Sequence, residues 1–163
     1  MEIISVDGWY LLLRWSHLLA GVTWIGLLYY FNFVQGEWFK ETDASAKTAA
    51  VQKLVPRALW WFRWSAMFTF LAGTLILISK GMKGWEIYAT SWGILILTGA
   101  TLGTLMFLNV WMIIWPAQQV VIASTNQVAE GGEALPDAAS SAAKAALASR
   151  TNTLFSIPML LFM

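Results

Sequence analysis

The one histidine of the chain, His17, has the widest chemical repertoire of any side chain in this sequence. It stands near the head of an apolar run, "RWSHLLAGVTWIGLLYYFNFV", and imidazole is a common ligand of haem iron and other metals. At helical spacing His17 shares one face with Arg14, Gly21 and Trp24. Gly21 could leave room for a flat group, and the Arg14 guanidinium could pair with a carboxylate. We therefore predict that these four residues bind a cofactor, haem b, with His17 as the metal ligand.

The alternative is a structural His17 that hydrogen-bonds to Ser16 or to a carbonyl on another helix. One histidine cannot provide both axial ligands, so the second would come from Met67, Met106, a partner subunit or residues beyond Met163. The chain has no cysteine, which excludes iron–sulfur clusters, thiolate zinc sites and covalently attached c-type haem within it.

A second candidate site consists of polar side chains from four apolar segments: Asn32, Arg63, Asn109 and Asn152. They would lie at one depth if the segments alternate in direction. Polar groups within a membrane are costly and by default face the protein interior. Because arginine and amide groups together suit a small planar anion, the sequence predicts a substrate pocket there. The alternative is a set of interhelical hydrogen bonds without a ligand.

The sequence lacks the residues that other kinds of catalytic or metal chemistry would require. The apolar segments contain no Asp or Glu, so neither a carboxylate proton relay nor a hard-metal site is predicted. No Ser-His-Asp arrangement and no phosphate-binding glycine loop is recognisable. The formal net charge of +1 gives no basic surface for nucleic acid.

The composition predicts an integral membrane protein. Hydrophobic residues make up 58% of the 163 residues and charged residues 12%, about half the charged fraction of a soluble domain. We expect four helices, at about 9–35, 56–79, 90–115 and 138–163, the third ending at Pro116. The segment 124–137 reads as a flexible linker, and only the last part of the fourth helix is apolar. The expected fold is a single membrane domain, residues 1–163, an all-α four-helix bundle with up-down-up-down topology.

Lysine and arginine residues predict the orientation. The first loop and the third connection together hold six of them, and the second loop holds two, which places the N-terminus outside, in the periplasm. Tryptophans form two predicted interfacial belts. The outer belt contains Trp9, Trp15, Trp85 and Trp92, and the inner belt contains Trp38, Trp60, Trp61, Trp64, Trp111 and Trp115.

Three stretches in order, "LLLRWSHLLAGVTWIGLLYYFNFVQ", "NVWMIIWPAQQVVI" and "SRTNTLFSIPMLLFM", resemble a known family. It is the membrane domain of the bacterial membrane-bound urate hydroxylases, the urate oxidase N-terminal domain. The positions that match its motifs are Arg14, His17, Trp24, Asn32, Asn109, Trp115, Arg150, Asn152 and Pro158.

The resemblance implies a multi-pass protein of the bacterial inner membrane that oxidises urate and passes electrons to the respiratory chain. Full-length members carry more spans and a periplasmic cytochrome c domain, and this chain, which has no CxxCH motif, resembles a short form without that domain. We therefore expect a subunit of an electron-transfer assembly, with the lipid bilayer and other membrane subunits as partners. The alternative is a non-catalytic accessory subunit of a larger respiratory or photosynthetic complex. A small transporter is less favoured because the spans carry no carboxylate.

Overall fold

Residues 6–163, which the computed structural model describes, form four long helices. Three of them contain a π-helical turn between two α-helical segments. Helix α1 comprises Val6–Tyr29, Tyr30–Gln35 (π) and Gly36–Glu41; α2 comprises Ala44–Ala49, Ala50–Leu54 (π) and Val55–Gly81; α3 comprises Ser91–Asn109, Val110–Ile114 (π) and Trp115–Ala129; and α4 is Ala138–Leu161. A short 3₁₀ turn, Trp85–Ala89, precedes α3. The prediction of an all-α chain is confirmed.

Helices α1, α2 and α3 are long and apolar enough to cross a membrane. The segments that meet this description are Gly8–Glu41, Ala44–Gly81 and Ser91–Ala129, and α4 is not among them. Its first half, "AASSAAKAALASR", is helical but polar, so only its second half could enter hydrocarbon.

The predicted end of the third helix at Pro116 is wrong. Helix α3 continues to Ala129. A proline lacks the N–H that an α-helix needs at each interior position. Here a π-helical turn ends at Ile114, and Pro116 occupies the first turn of the α-helical segment that begins at Trp115, where that N–H is not required. Pro56 follows the π-helical turn of α2 in the same way.

Two predicted loops are also largely helical. Only Thr42 and Asp43 separate α1 from α2, and the Asp43 carboxylate caps α2 by accepting the Ala46 N–H at 2.8 Å. The predicted linker from 124 to 137 begins inside α3, so the connection to α4 is limited to 130–137. Gly131 allows the reversal there with φ of 88°.

Neighbouring helices contact one another in antiparallel register. Early residues of α1 meet late residues of α2, as with His17 and Thr69. Phe70 of α2 stacks on Phe107 of α3 with ring centroids 4.3 Å apart. Side chains of all four helices meet in one core cluster, which includes Trp24, Leu28, Phe62, Met106, Val110 and Met159.

Many large apolar side chains point away from this core. Trp9, Trp61 and Trp85 are 60%, 59% and 67% exposed, respectively. We call the end that carries Trp9 and Trp85 the Trp9 end, and the level of Trp60, Trp61 and Trp115 the Trp60 level. On α2 about 30 Å of helix separates Trp61 from Gly81, close to the thickness of a hydrocarbon core.

Candidate functional site

His17 is anchored to the neighbouring helix by one ring nitrogen. Its Nδ1 lies 2.9 Å from the backbone carbonyl oxygen of Thr69 in α2. Because a carbonyl can only accept, Nδ1 carries the proton and donates, and Nε2 keeps its lone pair. Nε2 has no hydrogen-bond partner among the residues that the structure describes. The helix pair therefore fixes the tautomer and leaves one nitrogen available.

Gly73 makes room for the imidazole on α2. A Cβ atom at Gly73 would lie 2.9 Å from His17 Cε1, closer than van der Waals contact allows. Thr69 and Gly73 are one turn apart, so they form a small pocket wall for the ring. Sequence reasoning missed both residues, although two small residues four apart in an apolar segment are a signal of close helix packing.

Gly21 does not leave an open slot beside His17. A Cβ at Gly21 would lie 3.8 Å from Thr69 Cγ2, an ordinary van der Waals distance. The side of Gly21 that faces α2 is thus filled by Thr69. A planar cofactor would have to reach the imidazole from a side other than the α1–α2 interface.

The four predicted cofactor-binding residues lie in different environments. Trp24 is 2% exposed and belongs to the core, whereas Arg14 is exposed, with its guanidinium carbon 5.9 Å from the Tyr10 ring centroid. His17 and Gly21 lie between these two, at the contact with α2. The four residues do share one helical face, but this face extends from the surface into the core and does not line one cavity.

Two of the predicted substrate-binding residues, Asn109 and Asn152, bind each other. Asn109 Nδ2 donates to Asn152 Oδ1 at 2.9 Å, and Asn152 Nδ2 donates to the Met106 carbonyl at 3.0 Å. Asn152 is completely buried, and both ends of its amide are used. These bonds join α3 to α4.

Asn32 takes part in a second set of polar contacts, between α1 and α4. Its Nδ2 donates to Ser149 Oγ and to the Leu28 carbonyl, both at 2.8 Å. Two turns further along α4, Ser156 lies with its hydroxyl 2.9 Å from the Tyr29 hydroxyl. Asn32, like the Asn109–Asn152 pair, therefore connects helices.

Arg63 lies apart from the asparagines. Its guanidinium carbon is 3.8 Å from the ring centroid of Trp115 and 5.9 Å from that of Trp111. Asn109 precedes Trp115 by six residues, about 9 Å along α3. The structure thus separates the four residues into interhelical asparagine contacts and an arginine held by tryptophans, and their part in substrate binding stays a prediction.

Neither a cleft nor a cluster of metal-binding side chains forms a further site at the predicted site residues. A cleft of about 270 Å³ lies between α2 and α3, lined by Thr48, Ser124, Thr125, Val128 and Ala129, and one of about 80 Å³ lies at the Trp9 end beside Tyr10 and Lys80. Within residues 6–163 no three His, Asp or Glu side chains come together as metal ligands.

The family model described as urate oxidase N-terminal matches residues 84–163, which include α3, α4, the Asn109–Asn152 pair and the two tryptophans that hold Arg63. His17 and Arg63 themselves lie outside the matched residues. No curated protein and no solved structure matches the chain. In agreement with the resemblance of the two sequence motifs that lie in this part of the chain, residues 84–163 match the urate oxidase N-terminal family.

Proposed function

We propose that this protein is a urate-hydroxylase-like membrane subunit of an electron-transfer assembly, in which His17 gives an axial imidazole to haem b. The observation that carries the proposal is the hydrogen bond between His17 Nδ1 and the Thr69 carbonyl. Metal-bound histidines almost always donate their other ring N–H to a carbonyl or carboxylate, which orients the ring and raises the basicity of the ligating nitrogen. His17 has this arrangement before any metal is added.

The haem would lie at a contact with a partner subunit. Thr69 and Gly73 occupy the α2 side of the imidazole, so a macrocycle has to approach from outside that interface. Met106 is fully buried in the core, so a second ligand would come from Met67, from a partner subunit or from residues beyond Met163. Haem b supplies a one-electron carrier when bound, and this chain contributes the fixed imidazole.

We further propose that α1 to α3 span the bacterial inner membrane with the N-terminus in the periplasm, in an up-down-up-down bundle that α4 completes. The antiparallel contacts between successive helices support the topology. The lysines on either side of the α1–α2 connection, Lys40, Lys47 and Lys53, support the orientation. Exposed apolar side chains on all three helices support a lipid environment.

The alternative is a non-catalytic accessory subunit, and the Asn109–Asn152 pair favours it. A substrate at these residues would have to displace hydrogen bonds that already satisfy Asn152. If neither His17 nor the asparagines bind a ligand, the polar groups serve helix packing alone and the exposed apolar faces contact larger partners.

A haem measurement separates the two functions. The protein, purified in mild detergent, would be examined by a reduced-minus-oxidised visible spectrum and by pyridine haemochrome quantification. We expect a b-type signal that His17→Ala abolishes and that Ser16→Ala, a change at the exposed neighbouring residue, retains. Circular dichroism would establish that both variants keep their helices. Full haem in His17→Ala would remove His17 as a ligand. A haem-free protein in fixed ratio with a larger complex would favour the accessory subunit.

A further inference from the structure

We infer that Arg63, Trp111 and Trp115 form a binding site for the phosphate of an anionic phospholipid. We call these three residues the Arg63 site. The inference is independent of haem binding, because His17 lies on another pair of helices and nearer the Trp9 end.

Arg63 is held in one place without any anionic partner. Its guanidinium lies against the Trp115 ring, 3.8 Å from the centroid, with Trp111 on the same helix one turn away. Among the described residues one ion pair is present, between Lys40 and Glu37, and no carboxylate lies within ion-pair distance of Arg63. A positive charge fixed in this way is oriented but not neutralised.

Two hydrogen-bond donors at the Arg63 site are buried and unpaired. They are Arg63 Nε and Trp111 Nε1, neither of which has a partner in the described part of the chain. A buried donor without an acceptor is costly, and two in contacting side chains indicate a missing group. That group must offer several acceptors and a negative charge, which describes a phosphate.

The depth of the site matches a lipid headgroup. Arg63 lies two residues from Trp61 on α2, at the Trp60 level, where interfacial tryptophans gather. Lys80, the next cation along the same helix, is 17 residues further on, about 26 Å away. The two cations thus bracket an apolar segment of roughly bilayer thickness.

The surroundings favour a lipid over a free anion. Trp60 and Trp61 are 48% and 59% exposed, and Trp64 packs edge-on against Trp111 with centroids 5.6 Å apart. These rings provide an apolar surface next to the charge, on which acyl chains can lie. A free phosphate would use the charge but not this surface.

The test is native mass spectrometry of the detergent-purified protein titrated with phosphatidylglycerol or with phosphatidylcholine. We expect retained phosphatidylglycerol adducts, and a loss of apparent affinity of at least about tenfold in Arg63→Gln, because charge-assisted hydrogen bonds are the strong ones. Arg57→Gln is the matched control. Arg57 is exposed, lies on the same helix six residues away and has no tryptophan stacked on it. It should bind like the unmodified chain.

Equal binding of the two lipids, or equal losses in the two arginine variants, would overturn the inference. Inorganic phosphate at millimolar concentration should not displace the lipid; if it does, the ligand is a free anion. Should Arg63→Gln fail to fold, Trp111→Phe keeps the ring and removes only the unpaired N–H. We expect it to weaken phosphatidylglycerol binding several-fold, and unchanged binding would refute the site.

Discussion

Asn152→Ala tests whether the buried polar contacts of α4 hold the helices together. Asn152 is completely buried and connects α4 to two groups of α3, the Asn109 amide and the Met106 carbonyl. The substitution removes both hydrogen bonds and leaves a void where the amide had been. It also leaves the Asn109 amide without its partner, whereas the Met106 carbonyl keeps the backbone N–H of Val110.

The expected loss of stability is about 2 kcal/mol. Interhelical hydrogen bonds in membrane proteins contribute about 0.6 kcal/mol each on average, because the unfolded chain in the membrane also finds partners. Two of them give about 1.2 kcal/mol, and a void of at least methyl size adds about 1 kcal/mol. A change of 2 kcal/mol shifts the unfolding equilibrium about thirtyfold.

The assay is a reversible SDS titration in mixed micelles, followed by circular dichroism. Thr151→Ala is the matched control, because the Thr151 hydroxyl bonds only to the Leu147 carbonyl of its own helix, at 3.0 Å, and we expect a change below about 0.5 kcal/mol. A double-mutant cycle with Asn109→Ala should give a coupling energy of about 0.6 kcal/mol. Zero coupling, together with equal effects of the Asn152 and Thr151 substitutions, would refute the role of Asn152.

Two further predictions concern Gly73, tested by the same titration, and Asp43, tested by the pH dependence of helicity. Gly73→Ala should destabilise the protein by about 1–3 kcal/mol, because the new Cβ would lie 2.9 Å from His17 Cε1. Gly21→Ala should be neutral or stabilising, because its Cβ would lie 3.8 Å from Thr69 Cγ2. Similar losses of stability in both variants would contradict the packing described. At Asp43, the hydrogen bond from the backbone N–H of Ala46 lowers the carboxyl pKa, so its contribution is present above the ordinary aspartate pKa and is lost as the pH falls through the lowered value. Asp43→Asn keeps a cap without a titratable charge, and helicity measured between pH 6 and 2 should lose this component; an unchanged profile would remove Asp43 as its source.

The helices could be located from the sequence, but several of their ends could not. Apolar runs identify the interiors of α1, α2 and α3, and the start of α4 at Ala138 coincides with the prediction. The predicted helix end at Pro116 is wrong because a proline ends a helix only when the preceding turn cannot accommodate the proline ring. In this fold a π-helical turn adapts to it, and such turns depend on tertiary packing that a single sequence does not display.

The residues of the candidate sites could be recognised by type, but their partners could not. His17 and Arg63 stand out as polar side chains in apolar segments. Their contacts with Thr69, Gly73 and Trp115 depend on the register between helices, which is set by side-chain packing over the whole interface. The sequence predicts that the asparagines lie at one depth, where they form either a substrate pocket or interhelical hydrogen bonds. The interhelical hydrogen bonds are present.

The satisfied polar contacts of α4 and the unpaired groups of His17 and the Arg63 site indicate a division of roles within the chain. Helix α4, whose first half is polar, is connected to its neighbours by hydrogen bonds of Asn152, Ser149 and Ser156. Those groups are satisfied within the bundle. His17 Nε2 and Arg63 Nε, by contrast, have no partner in residues 6–163 although their side chains are held in place. Groups that are fixed and unsatisfied are the ones that can bind something else, so ligand binding is to be sought at His17 and at the Arg63 site, and structural coupling at the contacts of α4.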